Sequence, residues 1–341
     1  MLLSIPVSKR NTKACPKPRE INGRANKMEQ KVYPLSNPNS TIPANKKRKS
    51  GFQEFWRRFK KNKLAVAGLI VVVAYILMAV FADLFFSYDF ITQNQISNAF
   101  AKPLTKAKVD YEDKIINHLY ILGADNFGRD ILGRIIHGAR ISMIIGFTTI
   151  AFACVVGSGL GAIAGYYGGM IESIIMRGTD ILLAIPNILF ALAIVAALGP
   201  SFQNLLLAIG ITSIPAFVRL MRASVLTIKN QEFIEAARAL GARDFRIIIK
   251  HTIPNCMAPI IVQATLGIAQ SILSATSLSF LGLGIQPPAP EWGNMLSDAR
   301  SYISYAPHTL LFPGLAIMTV ILAYNLIGDG LRDALDPKLK H

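Results

Sequence analysis

Charge is scarce in this chain, and so are the residue patterns that build most catalytic sites. Of 341 residues only 16% are charged, against 52% hydrophobic. Ordinary soluble domains hold about a quarter charged residues, so a soluble globular protein is excluded at the outset. Cys15, Cys154 and Cys256 are odd in number and have no paired spacing, so neither a disulfide framework nor a thiolate metal site follows. His118, His137, His251, His308 and His341 show no metal-ligand spacing. No Gly is followed by Lys, which rules out a P-loop, and no Gly-x-Ser-x-Gly elbow occurs. The chain is expected to carry no catalytic residue, no metal and no cofactor of its own.

What charge there is gathers at one end. Of the 16 net positive charges, 14 lie in residues 1–63. A basic arm could bind nucleic acid, but basic residues crowded before a first apolar run fix that end in the cytoplasm and favour the anionic leaflet of a membrane. Lipid rather than nucleic acid is the expected partner. Asn, Pro, Lys and Ser dominate residues 1–50, which read as a disordered basic tail. The remainder, 51–341, reads as one membrane domain, and no cleaved signal precedes it.

A bilayer core takes roughly 20 apolar residues as helix. Six runs meet this: 64–86, 141–165, 181–198, 201–218, 257–283 and 309–327. The third and fourth are short and only Gly199 and Pro200 part them, so one re-entrant segment is the alternative there. With the basic tail inside, four spans return the chain to the cytoplasm before Lys229. The loop that follows is itself rich in Lys and Arg, so both counts put it, and both termini, on the cytoplasmic side. The long loop after the first span is nearly balanced in charge, which suits the outer side. Within the spans Asp83 and Glu172 fall near ends, leaving no ionisable group at depth for an ion-coupled carrier. Gly157, Gly161 and Gly165 form a flat stripe that serves either helix packing within the chain or a seam between subunits.

The loop 229–255 carries the most information. Gln231 to Leu240 are good helix formers, with Phe233, Ala236, Ala237 and Leu240 at steps of three and four. Gly241 permits the positive φ that ends a helix, and the Asp244 side chain is placed to cap a second turn starting at Phe245. Phe245, Ile248 and Ile249 are expected on one face of that second helix, with Arg243, Arg246 and Lys250 elsewhere. Such a pair could dock into a cleft on another protein or lie at the lipid surface.

Glu235, Ala236, Ala237, Gly241, Ile253 and Pro254 resemble the EAA loop of binding-protein-dependent ABC importer permeases. The resemblance implies an all-α, six-span type I importer fold with a cytoplasmic coupling helix. It also implies that Glu235, Ala236, Ala237, Leu240, Gly241 and Arg243 contact separate ATPase subunits, which hold the ATP and Mg. Leu122-Gly123-Ala124-Asp125-Asn126-Phe127-Gly128-Arg129-Asp130, together with Arg134, Gly138, Ala139 and Arg140, resembles the segment before the second span of dipeptide and oligopeptide permeases of the C-subunit type. Residues Phe280 to Gly284, Gln286 to Pro288, Pro290 to Gly293 and Leu326 to Asp333 resemble the last loop and C-terminus of that subfamily. The likeness runs from Gly51 to the end and departs at Ala124, where Thr is common.

The implied partners are a second, homologous permease subunit making a heterodimer, two ABC ATPases, an extracellular or periplasmic substrate-binding protein, and a peptide cargo. Nickel, haem or another small solute is the alternative cargo. Asp130 and Arg134 are spaced to pair on an interfacial helix edged by Ile131, Ile135 and Ile136. Asp125, Arg129 and Asp130 are then candidates for outer contact with the binding protein. Gln263, Gln270, Ser274 and Ser277 share one face of the fifth span and are candidates to line the pathway; interhelical hydrogen bonding is the alternative.

Overall fold

The computed structural model describes residues 51–111 and 114–335, so the basic tail lies outside the described residues. A short helix and a membrane-length one open it. α1 (Gly51–Phe59) leads to α2 (Lys63–Val80), whose first turn is capped by the Asn62 side chain accepting from the Ala65 amide at 3.2 Å. α2 stops at Val80, short of the expected end at 86. Arg140 explains the stop: its Nε donates to the Ala79 carbonyl at 3.0 Å and its Nη2 pairs with Asp83 at 3.0 Å. A cation thus satisfies the orphan carbonyls of the helix end. The chain goes on through α3 (Ala82–Phe85) and α4 (Tyr88–Thr92).

An antiparallel hairpin follows, β1 (Thr105–Tyr111) against β2 (Lys114–Tyr120), with Thr105 opposite Tyr120. It adds to the helical class a small sheet that the apolar-run search could not find. The alternation in Thr105-Lys106-Ala107-Lys108-Val109 was its signal, and Val109 is buried.

α5 (Ile131–Tyr167) is 37 residues long, about 55 Å at 1.5 Å per residue. It starts ten residues before the expected span, because Asp130 caps it by accepting from the Gly133 amide at 2.7 Å. The segment expected to be a separate interfacial helix is therefore the first two turns of α5, and it is buried. The expected span 181–198 is a broken one. α6 (Gly169–Leu183) and α7 (Asn187–Leu198) meet at 85°. Pro186 lacks an amide proton and keeps Ile185 out of helical geometry, which breaks the run there.

α8 (Phe202–Ile228) is a full helix and outlasts the expected end at Val218. Two ion pairs to α6 hold its last turns: Arg219 to Asp180 at 2.7 Å, and Arg222 Nε to Glu172 at 2.5 Å. Two short helices, α9 (Glu232–Ala239) and α10 (Asp244–Ile247), then run through one π-helical turn into α11 (Ile253–Phe280). α12 (Trp292–Ala299) and α13 (His308–Leu335) close the chain. Among the described residues five helices are long and apolar enough to cross a membrane, and the bent pair makes a sixth crossing if it acts as one.

The glycine stripe serves packing inside the chain. A β-carbon at Gly161 would sit 2.5 Å from the Val218 carbonyl oxygen, and those at Gly157 and Gly165 would crowd Phe217 and Val225. α5 and α8 are thus pressed backbone to backbone. Between α5 and α11 the buried hydroxyls of Thr149 and Ser271 bond each other.

Candidate functional site

The two ends of α5 lead to the two candidate regions. At its C-terminal end sits the elbow formed by α9 and α10. α9 ends in a Schellman turn: the Gly241 amide donates to the Arg238 carbonyl at 2.9 Å and the Ala242 amide to that of Ala237 at 3.1 Å, with Gly241 at φ +80°. Nothing lies within 4 Å of where its β-carbon would be, so backbone conformation and not space requires glycine here.

The elbow is seated by Ile234, Ile247 and Ile248, buried among Tyr166, Phe217, Met221, Val225, Cys256 and Ile260. This corrects both expected faces. Phe233, Leu240, Phe245 and Ile249 point away from the core, Leu240 at 88% and Phe245 at 74% exposure. Ala236 lies on the exposed side, and Ala237 is half-buried against the core. Glu235 and Arg243 are exposed, and their side chains make no hydrogen bond or ion pair within the described residues. The elbow therefore shows an apolar tip flanked by exposed acidic and basic side chains, Glu235 and Arg243 among them.

Asp244 does not cap α10 with its side chain. Its carboxylate accepts from the Tyr166 hydroxyl at 2.7 Å, and that hydroxyl in turn accepts from Arg238 Nη2 at 3.2 Å. Lys229 Nζ reaches the carbonyls of Gly165 and Tyr166 at 3.3 and 3.4 Å. The apolar runs alone gave no sign of this set. The polar aromatic Tyr166, closing a helix before Gly168 and Gly169, was the available clue.

At the other end of α5, Asp125, Arg129 and Asp130 are 9%, 3% and 2% exposed. They are thus buried rather than presented on the surface, and each lies within an ion pair in the chain. Arg129 Nε bonds Asp125 at 2.7 Å and its Nη2 lies 3.6 Å from Asp298. Asp130 holds His118 at 2.8 Å while capping α5. Arg134 pairs with Asp125 at 3.6 Å, not with Asp130, and its Nη1 donates to the Pro288 carbonyl at 3.3 Å. Burial pushes the Asp298 carboxyl above its ordinary range, with the two arginines opposing. Glu291 caps α12 through the Gly293 and Asn294 amides, both at 2.9 Å, and burial raises it too. Beside it Trp292 is buried and donates to the Ile135 carbonyl at 3.0 Å.

On α11, Gln270 is exposed, while Gln263, Ser274 and Ser277 are half-buried. None bonds another helix among the described residues; the Ser277 hydroxyl donates to its own Leu273 carbonyl at 2.8 Å. Gln263 borders an open cleft of about 750 Å³ between α8, α11 and α13, shared with Ser224, Thr227, Asn255 and Arg332.

Residues 157–341 match the family described as the binding-protein-dependent transport system inner membrane component, and residues 50–103 match the N-terminal transmembrane domain of oligopeptide transport permease C. The chain belongs to this family of transport permeases. The permease is 50% identical over 85% of its length to the dipeptide transport system permease protein DppC of Alkalihalophilus pseudofirmus, covering 91% of that protein. It is 45% identical over 86% to DppC of Haemophilus influenzae, covering 96% of it. The glutathione transport system permease protein GsiD of Pectobacterium atrosepticum is 44% identical over 88%, with 96% of that chain covered. Over 60% of its length the permease shares the fold of a chain of the inward-facing MetNI methionine ABC transporter, at a TM-score of 0.51 and 18% identity, covering 98% of that chain. The permease is thus a multi-pass, non-catalytic membrane subunit of an ABC importer, and the elbow falls within the matched residues.

Proposed function

We propose that this permease forms one half of the pathway of an ATP-driven importer for di- and oligopeptides. The observation that carries this reading is the elbow: an apolar, unpartnered tip on a rigid turn, joined to long helices. Glu235, Ala236, Leu240 and Arg243 form the surface for a separate ATPase, with Gly241 setting the turn and Ala237 backing it. Two ATPases hold the ATP and Mg, and a second, homologous permease completes the pathway. The elbow, both termini and the basic tail face the cytoplasm of a cell whose inner membrane holds the chain, and the hairpin end faces a substrate-binding protein. Because Asp125, Arg129 and Asp130 are buried, they shape that outer surface from beneath and do not touch the partner.

Peptide is favoured over nickel, haem or another small solute because the relatives named above carry dipeptide or glutathione in their names. The uncharged face of Gln263, Gln270, Ser274 and Ser277 suits a cargo rich in amide groups and of varied side chains. Its hydrogen-bonding capacity is left largely unused among the described residues, as a face toward a pathway requires. Closure of the ATPases moves the elbow as a lever, and the spans tilt to alternate access.

Uptake of radiolabelled dialanine by proteoliposomes holding the complete importer tests this. ATP-dependent uptake that disappears without the ATPases is expected. Uptake driven by an ion gradient without them would overturn the reading.

A further inference from the structure

The elbow is joined to the membrane helices by apolar packing and by a polar junction at the end of α5. Tyr166, one residue from the C-terminus of α5, places its hydroxyl between the two arms of the elbow. It donates to Asp244 on α10 at 2.7 Å and accepts from Arg238 on α9 at 3.2 Å. Gly241, the positive-φ residue of the turn, lies between those two partners in sequence. The Arg238 guanidinium carbon also lies 6.0 Å from the centre of the Tyr166 ring. The ring itself is buried in the cluster that seats Ile234 and Ile247. A single hydroxyl thus bridges α9, α10 and α5.

We infer that the Tyr166 hydroxyl is a positioning latch: it fixes the angle between the arms of the elbow and makes the elbow move as one body with α5. This rests on the coupling reading above and deepens it. Apolar packing is non-directional, so Ile234, Ile247 and Ile248 hold the elbow down without fixing its rotation. Directional hydrogen bonds to both arms supply what packing lacks, and charge on Asp244 and Arg238 strengthens them. α5 then carries the motion over about 55 Å to the hairpin end, where Asp130 caps it and the buried ion cluster holds its first turns. Backbone contact along the glycine stripe passes the same motion to α8. Lys229, reaching the last carbonyls of α5, secures the return of the chain from α8 at the same point. No contact between Tyr166 and the ATPase is required.

The test uses the complete importer in proteoliposomes and measures dialanine uptake and ATP hydrolysis together. Tyr166→Phe keeps the buried ring and removes both hydrogen bonds. Uptake is expected to fall about tenfold while assembly and ATPase rate persist, so that ATP hydrolysed per dipeptide rises about tenfold. Asp244→Asn retains an oxygen that accepts from the hydroxyl and should import near the wild-type rate. Asp244→Ala removes only the bond to α10 and should lower uptake in the same direction as Tyr166→Phe, and the double variant should be no worse than Tyr166→Phe, which already removes both bonds.

Unchanged uptake and unchanged ATP per dipeptide in Tyr166→Phe would overturn the latch. So would a loss of assembly and ATPase in proportion to uptake, which marks a purely structural hydroxyl, and so would independent, additive losses in the double variant. A wild-type importer that shows no ATP-dependent uptake contradicts the importer reading itself and removes the latch with it. Wild-type uptake with an indifferent Tyr166→Phe removes the latch alone.

Discussion

The two ends of α5 are built on opposite plans. At the hairpin end, charge is buried and internally matched: Asp125, Arg129, Arg134 and Asp298 face one another, and Glu291 and Asp130 cap helices. At the elbow end the apolar side chains Leu240 and Phe245 stand in the open beside unpaired Glu235 and Arg243. A closed polar network specifies one geometry and resists change, whereas an exposed apolar tip is a surface awaiting a partner. The comparison teaches that α5 joins a fixed end to an unfinished one, which suits a helix that transmits motion.

The largest effect is expected where the network is cut. Arg134→Ala leaves the buried Asp125 without one of its two cations and strips the buried Ile91 carbonyl and the more exposed Pro288 carbonyl of a donor, at a cost of about 3–5 kcal/mol. Loss of the monodisperse peak in detergent gel filtration, or a large drop in melting temperature, should report it; a stable variant would break the claim that this end is rigid. Next comes Gly161→Leu, which forces α5 off the Val218 backbone and should cost about 1–3 kcal/mol or more. If its melting temperature holds, the stripe is not a close-packed seam within the chain.

Gly241→Val should act differently, putting a β-branched residue at φ +80° at a cost of about 1–3 kcal/mol confined to the turn. Membrane insertion and purification should survive while uptake is lost, and normal uptake would show that the shape of the turn does not matter. Phe245→Ser removes only exposed apolar surface, so stability should change by less than about 0.5 kcal/mol. Its expected signature is weaker retention of ATPase subunits on co-purification.

The smallest effect is that of pH. Burial raises the Glu291 and Asp298 carboxyls, so the folded chain binds protons there more readily than the unfolded one. Their contribution is most favourable below the ordinary carboxylate pKa of about 4 and is lost as pH rises through the raised folded values. The melting temperature should therefore rise slightly, or hold, on going from neutral to mildly acidic buffer, and Glu291→Gln should flatten that slope.

The sequence made the membrane domain and the elbow legible for physical reasons. Apolar runs of bilayer length and the positive φ available at Gly241 are both written in local residue types. Where two contributions competed, the reading went astray. Hydropathy made residues 181–198 one run, but Pro186 bends it; spacing offered Asp244 as a cap, but a tyrosine 78 residues earlier takes its carboxylate. Asp130 and Arg134 stood at pairing distance along a helix, yet His118 and Asp125, brought in by the hairpin and its following turn, claimed them. Burial of Ile234 in place of Phe233 follows from the seat offered by α5, α8 and α11, which no local pattern contains.

The central claim is that the elbow tip is completed by an ATPase. A photo-cross-linking amino acid at Leu240 in the complete importer tests it most directly, with one at Leu104, exposed beside the hairpin, as the opposite-end control. The account predicts an adduct with the ATPase from position 240 and none from position 104. Adducts from position 240 with lipid alone, or an ATPase adduct from position 104, would contradict it.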